Sequence, residues 1–287
     1  VSVKAAFSDW VQLTKARLIF LALLMAWLGY VMGKDVPLST FHFAASMIGI
    51  AFLGGASGIL NQYIERDLDR RMRRTAQRPL PGGRVSPRLA LAVGIATSLT
   101  GLLILVAWVN IVTAILGALT LFFYLAIYTP SKRLTSLSTL LGAIPGAMPP
   151  LMGFTAAHGS LAVEGFLLFG ILFLWQIPHF LAIAWIYRDD YAKAGFPILT
   201  VVDEAGVQTV KQVLLYSMIL LPVSLIPAAR GLTGNTYFFG AFLLGLVFVA
   251  FGVSLAVFRS KPHARRLFLV SILYLPALGV LMAWDKR

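Results

Sequence analysis

The stretch FHFAASMIGIAFLGGASGIL (Phe41–Leu60) runs without a break into NQYIERDLD (Asn61–Asp69), and this junction decides how the chain folds. Twenty uncharged, mostly apolar residues match a helix that crosses the hydrocarbon core of a bilayer, which needs about 20 residues. Similar runs recur at Leu18–Met32, Leu89–Trp108, Ile111–Tyr128, Leu137–Phe154, Phe166–Tyr187, Val213–Ala229, Tyr237–Phe258 and Leu267–Trp284. The composition agrees: 59% of the 287 residues are hydrophobic, 12% are charged and the mean hydropathy is +0.85, outside the range of a water-soluble domain. The expected fold is all-α. It is a polytopic membrane protein with one domain over residues 1–287 and about nine transmembrane helices, bundled around a polar cavity that opens to the cytoplasmic side.

The formal net charge is +13, which in a soluble protein would suggest nucleic acid. Here its distribution points to topology instead, and no nucleic-acid partner is expected. The N-terminal segment and the loops after the second, fourth, sixth and eighth runs hold 20 of the 24 Lys and Arg residues; Lys34, Arg230, Lys286 and Arg287 fall on the other side. Lys and Arg concentrate in cytoplasmic loops, so the N-terminus and the even-numbered exits are expected in the cytoplasm. The chain has no cysteine, which excludes disulfides and thiolate ligands and leaves oxygen and imidazole to bind metal. The N-terminal residues read as neither a cleavable signal nor a transit peptide, consistent with the inner (plasma) membrane of a bacterium.

Seven of the 11 acidic residues cluster in two inner segments, 65–88 and 188–211. Asn61, Glu65 and Asp69 are four residues apart, so a continuing helix would carry all three on one face, with Asp67 on the other side. Oxygen donors in that register suit Mg²⁺, which usually shares its octahedral shell with substrate phosphates. Arg66, Arg70, Arg71, Arg73, Arg74 and Arg78 follow closely, and guanidinium groups match phosphate oxygens in bidentate geometry. An arginine run can equally be a plain topology signal. It does not account for Asn61, a polar group placed deep in an apolar helix.

A second polar set lies at the ends of the fourth and sixth runs: Tyr128, Lys132 and Arg133, then Arg188, Asp189, Asp190 and Lys193. Its cations are expected to close over a diphosphate held through Mg²⁺, and Asp189 or Asp190 could hold a second ion. Within the sixth run, Trp175, Gln176 and His179 share one side of a helix, with the imidazole about 12 Å below the cytoplasmic end. An intramembrane His is a functional candidate.

At these residues the sequence resembles the UbiA superfamily of intramembrane prenyltransferases. The resemblance is carried by Asn61-Gln-Tyr-Ile-Glu-Arg-Asp-Leu-Asp69, Tyr128-Thr-Pro-Ser-Lys-Arg133, Gly142-Ala-Ile-Pro-Gly-Ala-Met-Pro-Pro150, Trp175-Gln-Ile-Pro-His-Phe180 and Asp190-Tyr191. The Gly142 and Trp175 stretches are similar to the haem-modifying branch. Two positions depart from the wider superfamily: Glu65 stands where many relatives have Asp, and Tyr187 and Tyr191 stand where acids are expected.

The resemblance implies transfer of a farnesyl group from farnesyl diphosphate to a vinyl group of haem B, with water addition giving haem O. It assigns catalysis to Asn61, Glu65, Asp69 and Lys132, and one or two Mg²⁺ ions to Asn61, Glu65, Asp67, Asp69, Asp189 and Asp190. Diphosphate would be held by Arg70, Arg74, Arg78, Tyr128, Lys132, Arg133, Arg188 and Lys193, and haem B by Trp175, Gln176 and His179. The lipid bilayer would hold the isoprenoid tail, and a downstream haem-modifying enzyme or terminal oxidase assembly is an implied partner. The alternative within the superfamily is an enzyme that prenylates an aromatic acid or quinone precursor. A transporter fits less well, because the acids sit at one membrane edge and not at the midplane. A haem electron carrier would want a second His at matching depth.

Overall fold

The computed structural model describes residues 3–34, 39–70 and 75–287. They form α1 (Val3–Thr14), α2 (Ala16–Met32), α3 (Thr40–Asp69), α4 (Pro87–Trp108), α5 (Ile111–Phe122), a π-helical turn (Phe123–Tyr128), α6 (Thr129–Ser131), α7 (Ser138–His158), α8 (Val163–Ile186), α9 (Arg188–Lys193), α10 (Leu199–Val202), α11 (Val207–Ala229), α12 (Asn235–Phe258) and α13 (Lys261–Trp284). Among the described residues eight helices are long and apolar enough to cross a membrane, and a ninth span arises if Phe7–Thr14 and Ala16–Met32, bent by 49°, are taken together. The all-α polytopic membrane expectation therefore holds.

Side-chain hydrogen bonds set several helix starts. The Ser39 and Ser86 hydroxyls accept from the N–H groups of His42 and Leu89, and Asn110 Oδ1 accepts from Thr113 N, satisfying donors that an unfinished helical turn leaves unpaired. Asp203 and Asp285 do the same for α11 and α12: Asp203 Oδ2 accepts from Thr209 N at 2.7 Å, and Asp285 Oδ2 from Tyr237 N at 2.7 Å. These two carboxylates are thus used structurally.

The helix surfaces invert the pattern of a soluble protein. On α12 the buried stripe includes Ala241, Gly245 and Gly252, while Phe239, Leu243 and Val257 stand outside at 64–68% exposure. Water would penalise that surface and lipid does not. Small residues on the inner stripe let backbones approach closely, which is where packing energy between membrane helices arises.

The chain divides into two compact units: residues 1–130 with 148–161, and residues 131–147 with 162–287. In the first, α3 packs on α4, α2 and α1, and α4 on α5. The α1 helix is pinned to the polar end of α3. Leu13, Ile59, Leu80, Val85 and Ala90 form a buried cluster against Trp10 and Tyr63, and Arg84 Nε donates to Asp9 Oδ1 at 2.9 Å. The second half of α7 lies against α2 with almost no space between backbones. A Cβ on Gly153 would stand 1.8 Å from the Ala26 carbonyl oxygen, and one on Gly29 1.9 Å from that of Pro150. Neither backbone can yield as a side chain could. Gly153→Ala is therefore expected to destabilise the protein by about 1–3 kcal/mol or more, read as a lower unfolding temperature in detergent, whereas Gly170→Ala, where a Cβ meets nothing within 4 Å, should leave it unchanged.

In the second unit α8 packs on α11 and α13, α11 on α12, and α12 on α13. Two loop assignments from sequence are corrected here. The basic residues Lys261, His263, Arg265 and Arg266 are not loop residues but open α13, where Pro262 suits the first helical turn. The inner loop after the sixth run also holds structure of its own, the short helices α9 and α10.

Candidate functional site

The acidic register of α3 follows from one unbroken helix. Thr40–Asp69 carries Asn61, Glu65 and Asp69 along one face, all three at most 8% exposed. Asp67 is turned away into an exposed position, 3.7 Å from both Arg66 and Arg70. Its inclusion with the ligands on α3 finds no geometric support: the helix that aligns the other three carries it to the opposite side. Arg66 lies with its guanidinium carbon 4.7 Å from the Tyr63 ring centroid and donates to the Tyr63 carbonyl oxygen. Arg71, Arg73 and Arg74 lie outside the described residues.

Asp69 has a fixed partner. Arg78 Nη1 donates to Asp69 Oδ2 at 2.8 Å, and Thr75 Oγ1 donates to the Asp69 carbonyl oxygen at 2.8 Å. The carboxylate side chain is only 6% exposed and the guanidinium 25%, so the bond forms where water competes weakly.

Asn61 is fully buried and held from both sides. Lys15 Nζ donates to its Oδ1 at 2.7 Å, and its Nδ2 donates to Thr129 Oγ1 at 3.1 Å. Each partner depends on a local irregularity. Lys15 sits at the bend between α1 and α2 in the left-handed region, φ 57° and ψ 47°, a conformation that costs a non-glycine residue free energy. Thr129 follows the π-helical turn, where its hydroxyl donates to the Tyr124 carbonyl oxygen at 2.8 Å. Pro130 explains that turn: it has no N–H, and its ring excludes the carbonyl four residues back, so the helix widens by one residue. Tyr124 itself faces Lys15, with the phenol oxygen 3.4 Å from Nζ, and its ring centroid is 5.4 Å from that of Tyr128.

Lys15 and Thr129 were not assigned a role from sequence. The signal for Lys15 was a cation at the mouth of the first apolar run, counted only toward topology. Lys15→Met is expected to lower turnover about 10- to 100-fold, in line with about 1.5–3 kcal/mol for a hydrogen bond to a charged group, with Lys15→Arg retaining more; steady-state assays of the two variants check it.

In the second unit most of the polar residues lie where α8 gives way to α9. Tyr187 ends α8 at φ −103° and ψ 23°, and α9 starts afresh at Arg188. Asp189 and Asp190 thus lie off the register of α8, both exposed. Lys261 Nζ donates to Asp189 Oδ2 at 2.8 Å, and this ammonium holds the Asp189 carboxyl below the usual carboxylate range. A depressed carboxylate pKa means that the pair contributes above the ordinary value and fades as pH falls through the lowered one. Arg188 Nη1 donates to the Glu204 carbonyl oxygen at 3.1 Å, Lys193 ends α9 exposed, Lys132 is half-buried and Arg133 is exposed.

Deeper in the same unit, α8 runs unbroken through Pro178. Trp175 and His179 stack with ring centroids 4.6 Å apart and planes 21° apart. Gln176 points elsewhere: it is 4% exposed, its Oε1 covers Gly146 of α7, and its Nε2 has no hydrogen-bond partner.

A buried row of one amide and two carboxylates, flanked by cations, can hold a hard divalent ion together with an anionic ligand. Among the described residues no three His, Asp or Glu side chains converge on one point. A row of three oxygen-bearing side chains leaves part of an octahedral shell to other ligands.

The chain belongs to the UbiA prenyltransferase family, whose model matches residues 22–275. Over 97% of its length it is 45% identical to the Protoheme IX farnesyltransferase of Solibacter usitatus, covering 98% of that protein. Its fold is similar to that of digeranylgeranylglyceryl phosphate synthase, with a TM-score of 0.84 at 14% identity over 97% of this chain and 98% of the other. It is also similar to the fold of a UbiA homologue from Archaeoglobus fulgidus bound to GPP and Mg²⁺, with a TM-score of 0.66 at 15% identity over 96% and 99%.

Proposed function

We propose that this protein is a Mg²⁺-dependent prenyltransferase that moves the farnesyl group of farnesyl diphosphate onto a vinyl group of haem B, with addition of water, to give haem O. The observation that carries this reading is the end-to-end match to a Protoheme IX farnesyltransferase in a chain whose α3 aligns Asn61, Glu65 and Asp69. Binding of GPP with Mg²⁺ by the Archaeoglobus fulgidus homologue supports a prenyl diphosphate as donor.

The α3 row would hold Mg²⁺ through oxygen donors, and the ion, when bound, supplies positive charge that stabilises the diphosphate as it leaves. The protein's own residues do the rest. Asp69 fixes Arg78, so that its remaining N–H groups stay aimed at phosphate oxygens without reorganising during the reaction. Lys15 adds an ammonium beside Asn61. Heterolysis of the allylic C1–O bond leaves its electron pair on diphosphate. The vinyl carbon then bonds to C1, and water takes up the resulting porphyrin-side cation and loses a proton, which balances the reaction as farnesyl diphosphate, haem B and water giving haem O and diphosphate. Lys132, Arg70, Arg74, Arg133, Arg188, Lys193 and Tyr128 are proposed to hold diphosphate, Trp175 and His179 to contact haem, with Gln176, turned toward Gly146, supporting α8 from behind, and Asp189 and Asp190 to serve a second ion. Residues 1–287 would act as one domain, in a bacterial inner membrane with the N-terminus and the site on the cytoplasmic side. A downstream haem-modifying enzyme or oxidase assembly would receive the product.

The test is acceptor choice. Diphosphate release from farnesyl diphosphate should be stimulated by haem B and not by hydroxybenzoate. The opposite preference would keep the donor site and discard haem.

A further inference from the structure

Ser271 of α13 receives both aromatic residues of α8. Trp175 Nε1 donates to its carbonyl oxygen at 2.9 Å, and His179 Nδ1 lies 2.7 Å from its hydroxyl. The same hydroxyl approaches the Phe268 carbonyl oxygen at 2.6 Å. A serine hydroxyl has one proton, and a carbonyl oxygen can only accept, so the proton must lie between Oγ and the Phe268 oxygen. If it pointed at His179 instead, two oxygens with facing lone pairs would stand 2.6 Å apart. His179 is therefore the donor to Ser271, with its proton on Nδ1. The rings around it are Trp175, Phe180 and Phe268, which offer no countercharge, so the neutral imidazole suits this depth. Its Nε2 then carries an unprotonated lone pair.

We infer that Ser271 is a positioning residue that locks His179 in the Nδ1–H tautomer, presenting Nε2 as an axial ligand to the iron of the haem substrate. This rests on the proposed function. Histidines that bind a metal through one nitrogen nearly always donate the other N–H to a fixed acceptor, and haem iron commonly takes one such histidine. Trp175, stacked on the imidazole and itself tied to Ser271, stops the ring from turning. Holding the substrate by its iron leaves the porphyrin edge, where the vinyl groups are, free to meet the allylic cation.

The test is a titration of the purified full-length protein with ferric and ferrous haem B, followed by optical and resonance Raman spectra. The wild type should give a histidine-ligated signature. His179→Ala should lose it, and added imidazole should restore it. Ser271→Ala should weaken haem binding about 10- to 100-fold and shift the iron–nitrogen stretch, with Ser271→Thr, which keeps an acceptor oxygen, close to wild type. A wild-type spectrum and affinity in Ser271→Ala, or the wild-type signature surviving in His179→Ala, overturns the inference while leaving haem as acceptor. Failure of the wild type to bind haem at all overturns the acceptor reading and the inference with it.

Discussion

Asp69→Asn is expected to reduce farnesyl transfer by at least about 100-fold, the scale seen when one preorganised electrostatic contact to a developing charge is lost, while the protein still inserts and purifies as a monodisperse species. The substitution keeps shape and hydrogen-bonding capacity but removes the charge that Arg78 meets at 2.8 Å. Two functions fail together: the row on α3 loses a full ligand charge, and the guanidinium loses the partner that fixes its direction. Losing one partner of a well-buried pair costs about 3–5 kcal/mol. Here Arg78 is 25% exposed and can turn to water, so the loss should fall on activity more than on folding. Gel filtration alongside a turnover assay separates the two, and wild-type turnover in Asp69→Asn would remove Asp69 from the site.

Asn61→Leu should be nearly as damaging, and for a different reason. Asn61 joins three elements, taking a hydrogen bond from Lys15 and giving one to Thr129. Leucine fills similar volume but leaves the half-buried ammonium of Lys15 without that acceptor, which costs about 1–3 kcal/mol. Activity should fall about 100-fold, and the unfolding temperature should fall as well. Asn61→Asp, which retains an acceptor oxygen for Lys15, should recover stability but not necessarily rate. Equal stability of the Leu variant and the wild type would contradict the role assigned to the Lys15–Asn61 bond.

The helices were readable because lipid imposes one simple requirement, a long apolar run, and the runs lie within helical segments of the structure to within a residue at either end, the fourth passing from α5 into the π-helical turn. The register of Asn61, Glu65 and Asp69 was readable for the same reason, since a helix that continues repeats its face nearly every four residues. The start of α13 was not. Its first turns carry charges that hydropathy reads as loop, although basic residues can lie on a helix beyond the bilayer. The role of Lys15 was hidden too, because nothing in Leu13-Thr-Lys-Ala16 marks a left-handed break, and its partners lie 46 and 109 residues away. The same holds for Ser271, one serine in an apolar run 92 residues from His179, whose meaning depends on where a single proton sits.

The most direct test of the central claim is to incubate the purified, detergent-solubilised protein with haem B, farnesyl diphosphate and Mg²⁺, with and without EDTA, and to follow the haem by liquid chromatography and mass spectrometry. The account predicts a haem carrying one farnesyl group and one added water, formed with Mg²⁺ and absent with EDTA. Unchanged haem in every sample, from protein that prenylates an aromatic acid under the same conditions, would contradict it.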